Sequence, residues 1–230
     1  MKHNTVIFQI AAVVLLMFSC ADIDPARRYP NMVADADPVS AGTIEAMFDR
    51  RFSSQIRMDE IEVIFYPRLN AAALTFRLDF ITYRQFWDQE ARTQFAAALE
   101  QYKTDFQARN LTDSYRRTRE AYGRTKGRLE WETFRISRTY IANPRIELGY
   151  RFRNGSPYFT TLMRSAAAEN NEGGGSAIES MQINMYFTRA QAEELLKLFD
   201  QSFLMELLDE KNESAPESFV TDDYYEFDEN

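Results

Sequence analysis

Residues 146–163, IELGYRFRNGSPYFTTLM, are the stretch of the sequence that decides the predicted fold. Before Asn154-Gly155, the apolar residues Ile146, Leu148 and Tyr150 alternate with polar or small residues, and a mostly apolar run resumes at residues 158–163. Alternation with a period of two places apolar side chains on one face of a strand. Asn-Gly between two such runs is the strongest short signal for a two-residue hairpin. The stretch therefore predicts a pair of antiparallel strands.

Four further runs alternate in the same way and bring the predicted number of strands to about six. They are residues 61–66, 74–79, 129–134 and 181–187. Pro67 to Asn70 suits a turn between the first two of these runs. In the third run the alternation changes phase near Thr133, which is typical of a β-bulge.

Two patterns of the form Thr-x-x-Gln follow predicted strands and are typical of a helix capping box. Thr82 with Gln85 predicts a helix that runs to about Asn110, because the apolar residues that follow keep intervals of three and four. Thr188 with Gln191 predicts a second long helix. Residues 40–52 predict a short amphipathic helix near the amino terminus.

These elements predict an α+β fold. The expected architecture is a predominantly antiparallel sheet of about six strands, covered on one face by two long helices plus the short N-terminal helix. The chain has 230 residues, of which 45% are hydrophobic, enough for one domain of ordinary size. We expect a single globular domain over residues 39–210 and an acidic, disordered tail over residues 211–230.

The first nineteen residues predict a secretory signal peptide rather than part of the fold. A weakly basic head is followed by an almost wholly apolar stretch over residues 5–18 and then by Ser19-Cys20-Ala21. Fourteen helical residues extend about 21 Å, less than the roughly 30 Å hydrocarbon core of a bilayer. A permanent transmembrane helix is therefore not expected.

Leu16-Met17-Phe18-Ser19-Cys20 resembles a bacterial lipobox, in the looser form found in spirochaete lipoproteins. The resemblance covers only the first twenty-one residues. It implies cleavage before Cys20 and diacylation of its sulfur, and two acyl chains anchor a protein stably. Residues 20–38 would then be the lipidated cysteine and a flexible tether. The expected location is the cell envelope, with the outer membrane favoured over the inner. The alternative is an ordinary signal peptide with an incidental cysteine.

Cys20 and His3 are the only cysteine and the only histidine, and both lie in or next to the predicted signal peptide. A mature chain without histidine or a free thiol cannot form a Ser-His-Asp or Cys-His arrangement. It also cannot form a histidine or cysteine zinc site, or an iron–sulfur cluster. We therefore predict no catalytic residue, no metal and no cofactor.

A basic segment interrupts this otherwise acidic chain, whose formal net charge is −8. Arginine offers a planar fork that suits phosphate or carboxylate groups, so the segment is a candidate anion-binding site, with acidic lipid headgroups as its ligand. The alternatives are a solvated loop, or a loop that meets the acidic tail. The six candidate residues are Arg116, Arg117, Arg119, Arg124, Lys126 and Arg128.

Carboxylates are the remaining acid–base groups, and Glu130 and Glu132 share one face of a predicted strand. Paired carboxylates can hydrolyse glycosides. The function we expect is nevertheless a membrane-anchored, non-catalytic domain that binds an envelope protein partner. A carboxylate-dependent hydrolase of envelope glycan and a carrier of a small apolar or lipid ligand are the alternatives. Nucleic-acid binding is not expected of an exported protein, and the sequence does not predict an oligomeric state.

Overall fold

The fold is built around one antiparallel sheet of ten strands. The computed structural model describes residues 29–49, 56–113, 118–133, 136–171 and 177–214. The strands are β1 (Val39–Asp49), β2 (Ile56–Tyr66), β3 (Ala71–Leu78), β4 (Ile81–Asp88), β5 (Gly123–Lys126), β6 (Leu129–Thr133), β7 (Ile136–Ala142), β8 (Arg145–Arg153), β9 (Ser156–Met163) and β10 (Ile183–Phe187). Their order in the sheet is β5-β8-β9-β10-β1-β2-β3-β4-β6-β7.

The sheet curls until its two ends approach each other. Only Gly127 and Arg128 separate β5, at one end of the sheet, from β6, the last strand but one at the other end. The amide of Gly127 donates to the carbonyl of Pro144 at 3.3 Å, which joins the β5–β6 link to the link between β7 and β8. Both connections are short, so neither could be made across a flat sheet of ten strands.

Within the described residues, three helices accompany the sheet: α1 (Gln89–Gln107), α2 (Arg189–Leu198) and α3 (Gln201–Ser214). Helix α1 contacts β4 in one half of the sheet and β5 and β8 in the other, which places it on the inner, concave face. Aromatic rings fill the space between helices and sheet. The centroid of the Phe95 ring lies 5.3 Å from those of Phe159 and Phe199, and the centroid of the Trp87 ring lies 5.5 Å from that of Phe199. No helix in the described ranges has the length and apolar character needed to cross a bilayer.

The local turn and cap signals are confirmed. Asn154 and Gly155 both have positive φ, as the two-residue turn between β8 and β9 requires. Thr188 and Gln191 form the capping box at the start of α2. The register of the β6–β7 pair shifts between Glu132 and Thr133, where the sequence indicated a bulge.

The predicted α+β architecture is wrong, because the protein is mostly antiparallel β. The six predicted strands correspond to β2, β3, β6, β8, β9 and β10, but β1, β4, β5 and β7 are additional. The three described helices are short, and α1 lies on the inner face of a curled sheet rather than over one face of a flat one.

The predicted N-terminal helix over residues 40–52 is wrong. Residues 39–49 form β1, in which Ile44, Ala46 and Phe48 are buried on one face. The apolar spacing of this segment fits a helix as well as a strand. This segment pairs with β2 along almost its whole length, and that pairing stabilises the strand rather than the helix.

The predicted start of the first long helix is also wrong. Thr82 and Gln85 belong to β4, where Thr82 lies opposite Arg77 and Gln85 is buried. The helix begins at Gln89, and its N-cap is Asp88, whose side chain accepts from the Ala91 amide at 2.8 Å. The second predicted helix is interrupted between Leu198 and Gln201, which divides it into α2 and α3.

The residues just ahead of β1 contact the folded domain. The amide of Val33 donates to the carbonyl of Pro67 at 3.0 Å, and Val33, Ala34 and Ala36 pack against the core. Cys20 and the nineteen residues of the expected signal peptide lie outside the described ranges. The predicted boundaries of the tether, the domain and the tail stay predictions.

Candidate functional site: a polar rim pocket and a basic strand face

A polar pocket of about 630 Å³ lies where β1 ends and β2 begins. We call it the rim pocket. Its lining contains four carboxylates and two guanidinium groups. The other lining residues are hydroxyl and amide side chains and three apolar residues. The charged residues are Asp49, Asp59, Asp79, Glu179, Arg57 and Arg153.

Asp49 is the most highly coordinated carboxylate of the rim pocket. Its Oδ2 accepts from the Tyr186 hydroxyl at 2.6 Å and from Asn184 Nδ2 at 2.8 Å. Its Oδ1 accepts from a terminal nitrogen of Arg153 at 2.6 Å. Burial raises the pKa of Tyr186, and its hydrogen bond to Asp49 raises it further. Tyr186 therefore remains a neutral donor, and Asp49 holds the end of β1 to β10 and β8.

Asp59 leaves part of its hydrogen-bonding capacity unused. Arg57 Nε lies 2.7 Å from Oδ1 of this carboxylate. Oδ2 is buried and has no hydrogen-bond partner in the described part of the protein. A buried acceptor without a donor costs free energy, so each one needs an explanation. Asp59 also lines the rim pocket, so a small turn of its side chain would let a ligand N–H or O–H group satisfy this oxygen.

An exposed aromatic side chain follows one of the residues that line the rim pocket. Asp79, which lines the pocket, has a φ of 56° at the turn between β3 and β4. Phe80 follows it and is 74% exposed, the largest value among the exposed large apolar side chains of the described residues. Met58, on the neighbouring strand β2, is 51% exposed. One buried, unsatisfied carboxylate oxygen and an exposed aromatic side chain thus belong to neighbouring parts of the chain.

The structure describes four of the six predicted anion-binding residues, and these four differ in burial and in their contacts. Arg116 and Arg117 lie outside the described ranges, and Arg119 is half-buried. Arg128 binds Glu130 at 2.7 and 2.9 Å and lies over the Phe86 ring. Only Arg124 and Lys126 remain as exposed neighbours, both on β5.

Two arginines from outside the basic segment join Arg124 and Lys126. Lys126 lies opposite Arg145 of β8, and the Arg164 amide donates to the Arg145 carbonyl at 2.8 Å. The side chains of Lys126, Arg145 and Arg164 therefore form a row across neighbouring strands. Arg124 lies on the same face, two residues before Lys126 on β5. We call Arg124, Lys126, Arg145 and Arg164 the basic strand face. No local pattern in the sequence predicts it, because only strand register brings the two arginines to β5.

One buried carboxylate lies beneath this face. Glu147 lies opposite Arg124, binds Arg145 at 2.6 Å, and binds Arg164 at 2.8 and 2.9 Å. Burial raises the pKa of Glu147, but hydrogen bonds and charges from Arg164 and Arg145 outweigh it and lower the pKa below its ordinary value. The sequence alone does not distinguish Glu147 from other residues, because it occupies a polar position in a regularly alternating strand.

Both members of the Glu130–Glu132 pair bind neighbouring side chains. Glu130 accepts from Arg84 at 3.0 Å through one oxygen and from Arg128 through the other. Glu132 accepts from the Thr139 hydroxyl at 2.6 Å. Within the described ranges, no group of three or more histidine, cysteine, aspartate or glutamate side chains is arranged to hold a metal ion.

Comparison with known proteins places the chain in a family without a described activity. A family model described as "Uncharacterised Treponema protein" matches residues 38–206. An uncharacterized protein of Treponema pallidum (strain Nichols) is 24% identical over 190 residues, which cover 81% of this chain and 65% of that relative. No solved structure matches the chain. Because the matched residues make up well over half of its length, the chain belongs to the family of uncharacterised Treponema proteins.

Proposed function

We propose that the chain is a lipid-anchored protein of the cell envelope whose domain binds an envelope protein without catalysing a reaction. The anchor is proposed from the apolar run, Ser19 and Cys20 of the first twenty residues. Membership of a spirochaete family supports a lipobox of the looser type. Two acyl chains on Cys20 would hold the domain at a membrane surface.

The observation that carries the binding function is the combination of the buried, unsatisfied Asp59 Oδ2 with the exposed Phe80, which directly follows the pocket residue Asp79. Protein interfaces combine an aromatic anchor with a small number of polar contacts. A peptide segment can supply both, by donating an N–H group to Asp59 and covering Phe80. The aromatic packing between helices and sheet favours this pocket over an internal apolar site for a lipid.

The carboxylate chemistry of the domain favours binding over hydrolysis. A glycosidase needs one carboxyl group as an acid and a second as a base or nucleophile. Glu130 is bound by two arginines and Glu132 by a hydroxyl group. In the rim pocket, Asp49 is bound by three donors. These contacts hold the three carboxylates in place.

The anchor is tested by measuring the intact mass of the protein extracted from its own cells in mild detergent. We expect a polypeptide that starts at Cys20 and carries diacylglycerol. A Cys20→Ser variant should not carry the lipid. A chain that starts at another residue and carries no lipid would contradict the proposed anchor.

The binding function is tested by replacing Phe80 with a photo-crosslinking amino acid and irradiating the protein in a membrane extract of its cells. We expect a discrete crosslinked product. Asp59→Asn should reduce its yield, because asparagine removes the negative charge and replaces one accepting oxygen with an NH2 group that donates. The same amino acid at Phe106, another exposed aromatic position, is the matched control. Equal crosslinking at both positions, or no effect of Asp59→Asn, would contradict a specific site at the rim pocket.

A further inference from the structure

We propose that the basic strand face docks the domain onto a membrane surface rich in anionic phospholipid headgroups. The inference rests on the proposed lipid anchor, which would bring the domain to a bilayer, and it adds the side of the domain that meets the lipid. The four residues of the face come from β5, β8 and the end of β9, so the surface exists only in the folded protein.

The charges on this face are not balanced within the described part of the protein. Lys126, Arg145 and Arg164 lie in one row, and like charges opposite each other on neighbouring strands are destabilising. Glu147 binds only the two arginines. Arg124 and Lys126 are exposed and belong to no ion pair of the described residues. Four cations and one carboxylate thus leave an excess of positive charge in a chain whose net charge is −8.

The face is open to the outside of the domain. Ile146 and Leu148 belong to the apolar core, so Arg145 and Glu147, which alternate with them, point to the outer face of the sheet. Side chains on three adjacent strands span roughly 10 Å, since strands lie about 4.8 Å apart. The surface therefore suits an array of headgroup phosphates better than a single enclosed anion. Arginine and lysine near such a surface are attracted to anionic lipid.

Tyr29, the first described residue, lies on the same side of the fold. Tyr29 and Arg128 line one pocket of about 540 Å³. Arg128 follows Lys126 by two residues, and the bond from Gly127 to Pro144 holds this link beside the start of β8. Nine residue steps separate Tyr29 from Cys20, so an extended chain spans at most about 30 Å. The anchor and the basic strand face can therefore reach the same bilayer.

The experiment is lysine footprinting of the lipidated protein in vesicles. The protein is reconstituted in vesicles of phosphatidylcholine alone, or of phosphatidylcholine with phosphatidylglycerol, and treated with an acetylating reagent. Acetylation of each lysine is followed by mass spectrometry. We expect Lys126 to react about fivefold more slowly in the anionic vesicles. Lys197, an exposed residue in the last turn of helix α2, is the internal reference. High salt should remove the protection, because surface charge is screened.

Variants test whether the protection depends on this face. Arg124→Glu should abolish it, since the side chain is exposed and takes no part in the bonds of Glu147. Arg77→Glu, at an exposed position of β3, should leave it unchanged. Equal reactivity of Lys126 in both kinds of vesicle would overturn the proposal. Protection by inorganic phosphate in phosphatidylcholine vesicles would also overturn it, in favour of a soluble anion site. A protein that fails to enter the vesicles would instead contradict the lipid anchor.

Discussion

Arg164 binds both carboxylate oxygens of Glu147, with Nε at 2.9 Å from one oxygen and a terminal nitrogen at 2.8 Å from the other. The side chain of Glu147 is only 2% exposed, and Arg145 binds it from its own strand at 2.6 Å. A buried carboxylate needs this degree of pairing to remain charged. Glu147 in turn allows two arginines to lie side by side on neighbouring strands. The basic strand face therefore depends on a residue that is itself hidden.

Glu147→Gln should lower the free energy of unfolding by about 1–3 kcal/mol, because it leaves Arg145 and Arg164 as close like charges. The expected loss is smaller than for a fully buried ion pair, because the side chains of Arg145 and Arg164 are 45% and 33% exposed and partly screened by solvent. Urea denaturation near neutral pH measures it. Glu60→Gln, at an exposed position of β2, should change stability by less than about 0.5 kcal/mol. Equal effects of both substitutions would show that the pairing contributes nothing.

The ion pairs of Glu147 also predict that the stability of the protein depends on pH. Arg164 and Arg145 lower the pKa of Glu147 in the folded state below the ordinary value of 4.5. The stabilisation is therefore present above about pH 4.5 and is lost as the pH falls through the folded-state pKa. The stability difference between the wild type and Glu147→Gln should narrow when unfolding is measured at successively lower pH in this range. A constant difference would contradict the linkage.

Short-range signals predicted the parts of the fold that depend on neighbouring residues. The turn at Asn154-Gly155 needs only two residues with positive φ, and the cap at Thr188 needs only its own first helical turn. Thr82 and Gln85 carry the same cap pattern but lie in β4. Pairing of β4 with β3 and β6 stabilises the strand and overrides that local preference.

The candidate sites could not be predicted in this way, because their residues are far apart in the sequence. Asp49 lies 104 residues before Arg153 and 137 residues before Tyr186, and the three meet only through the strand order β8-β9-β10-β1. Arg145 and Arg164 join Lys126 through strand register. The periodicity of a strand predicts which face a residue occupies, but not which strand lies beside it.

Tyr186→Phe should destabilise the protein by about 1–3 kcal/mol, because it removes a buried hydroxyl from a bonded network. The hydroxyl donates to Asp49 and accepts from Arg153 at 2.6 Å and from Arg151 at 3.2 Å. Thermal unfolding at neutral pH measures the loss. Tyr158→Phe, at a half-buried position of β9, is the control and should be close to neutral. If both variants unfold at the same temperature, the network does not stabilise the end of β1.

Arg92→Lys should cost about 2–4 kcal/mol, even though the charge is conserved. Arg92 is buried and donates to the Phe199 carbonyl at 3.0 Å, to Asn70 at 3.1 Å and to Gln201 at 2.8 Å. It therefore joins helix α1 to the β2–β3 turn and to the junction of α2 with α3. Lysine offers a single ammonium group and cannot reach these acceptors together. Hydrogen exchange should show faster opening at residues 199–201. Arg77→Lys, at an exposed position, should be neutral.

Gly149→Ala should destabilise the protein by about 3 kcal/mol or more, because the added methyl group collides with backbone rather than with a flexible side chain. A Cβ atom at Gly149 would lie 2.0 Å from the carbonyl oxygen of Thr118 and 2.5 Å from that of Arg119. These residues lead into β5, so the substitution should also displace the strand that carries Arg124 and Lys126. Gly155→Ala is the control, since nothing lies within 4 Å of its added Cβ and only its φ of 77° opposes the change. That backbone strain costs about 1–2 kcal/mol. Urea denaturation separates the two effects, and a smaller loss for Gly149→Ala than for Gly155→Ala would contradict the close approach of the chain to β8.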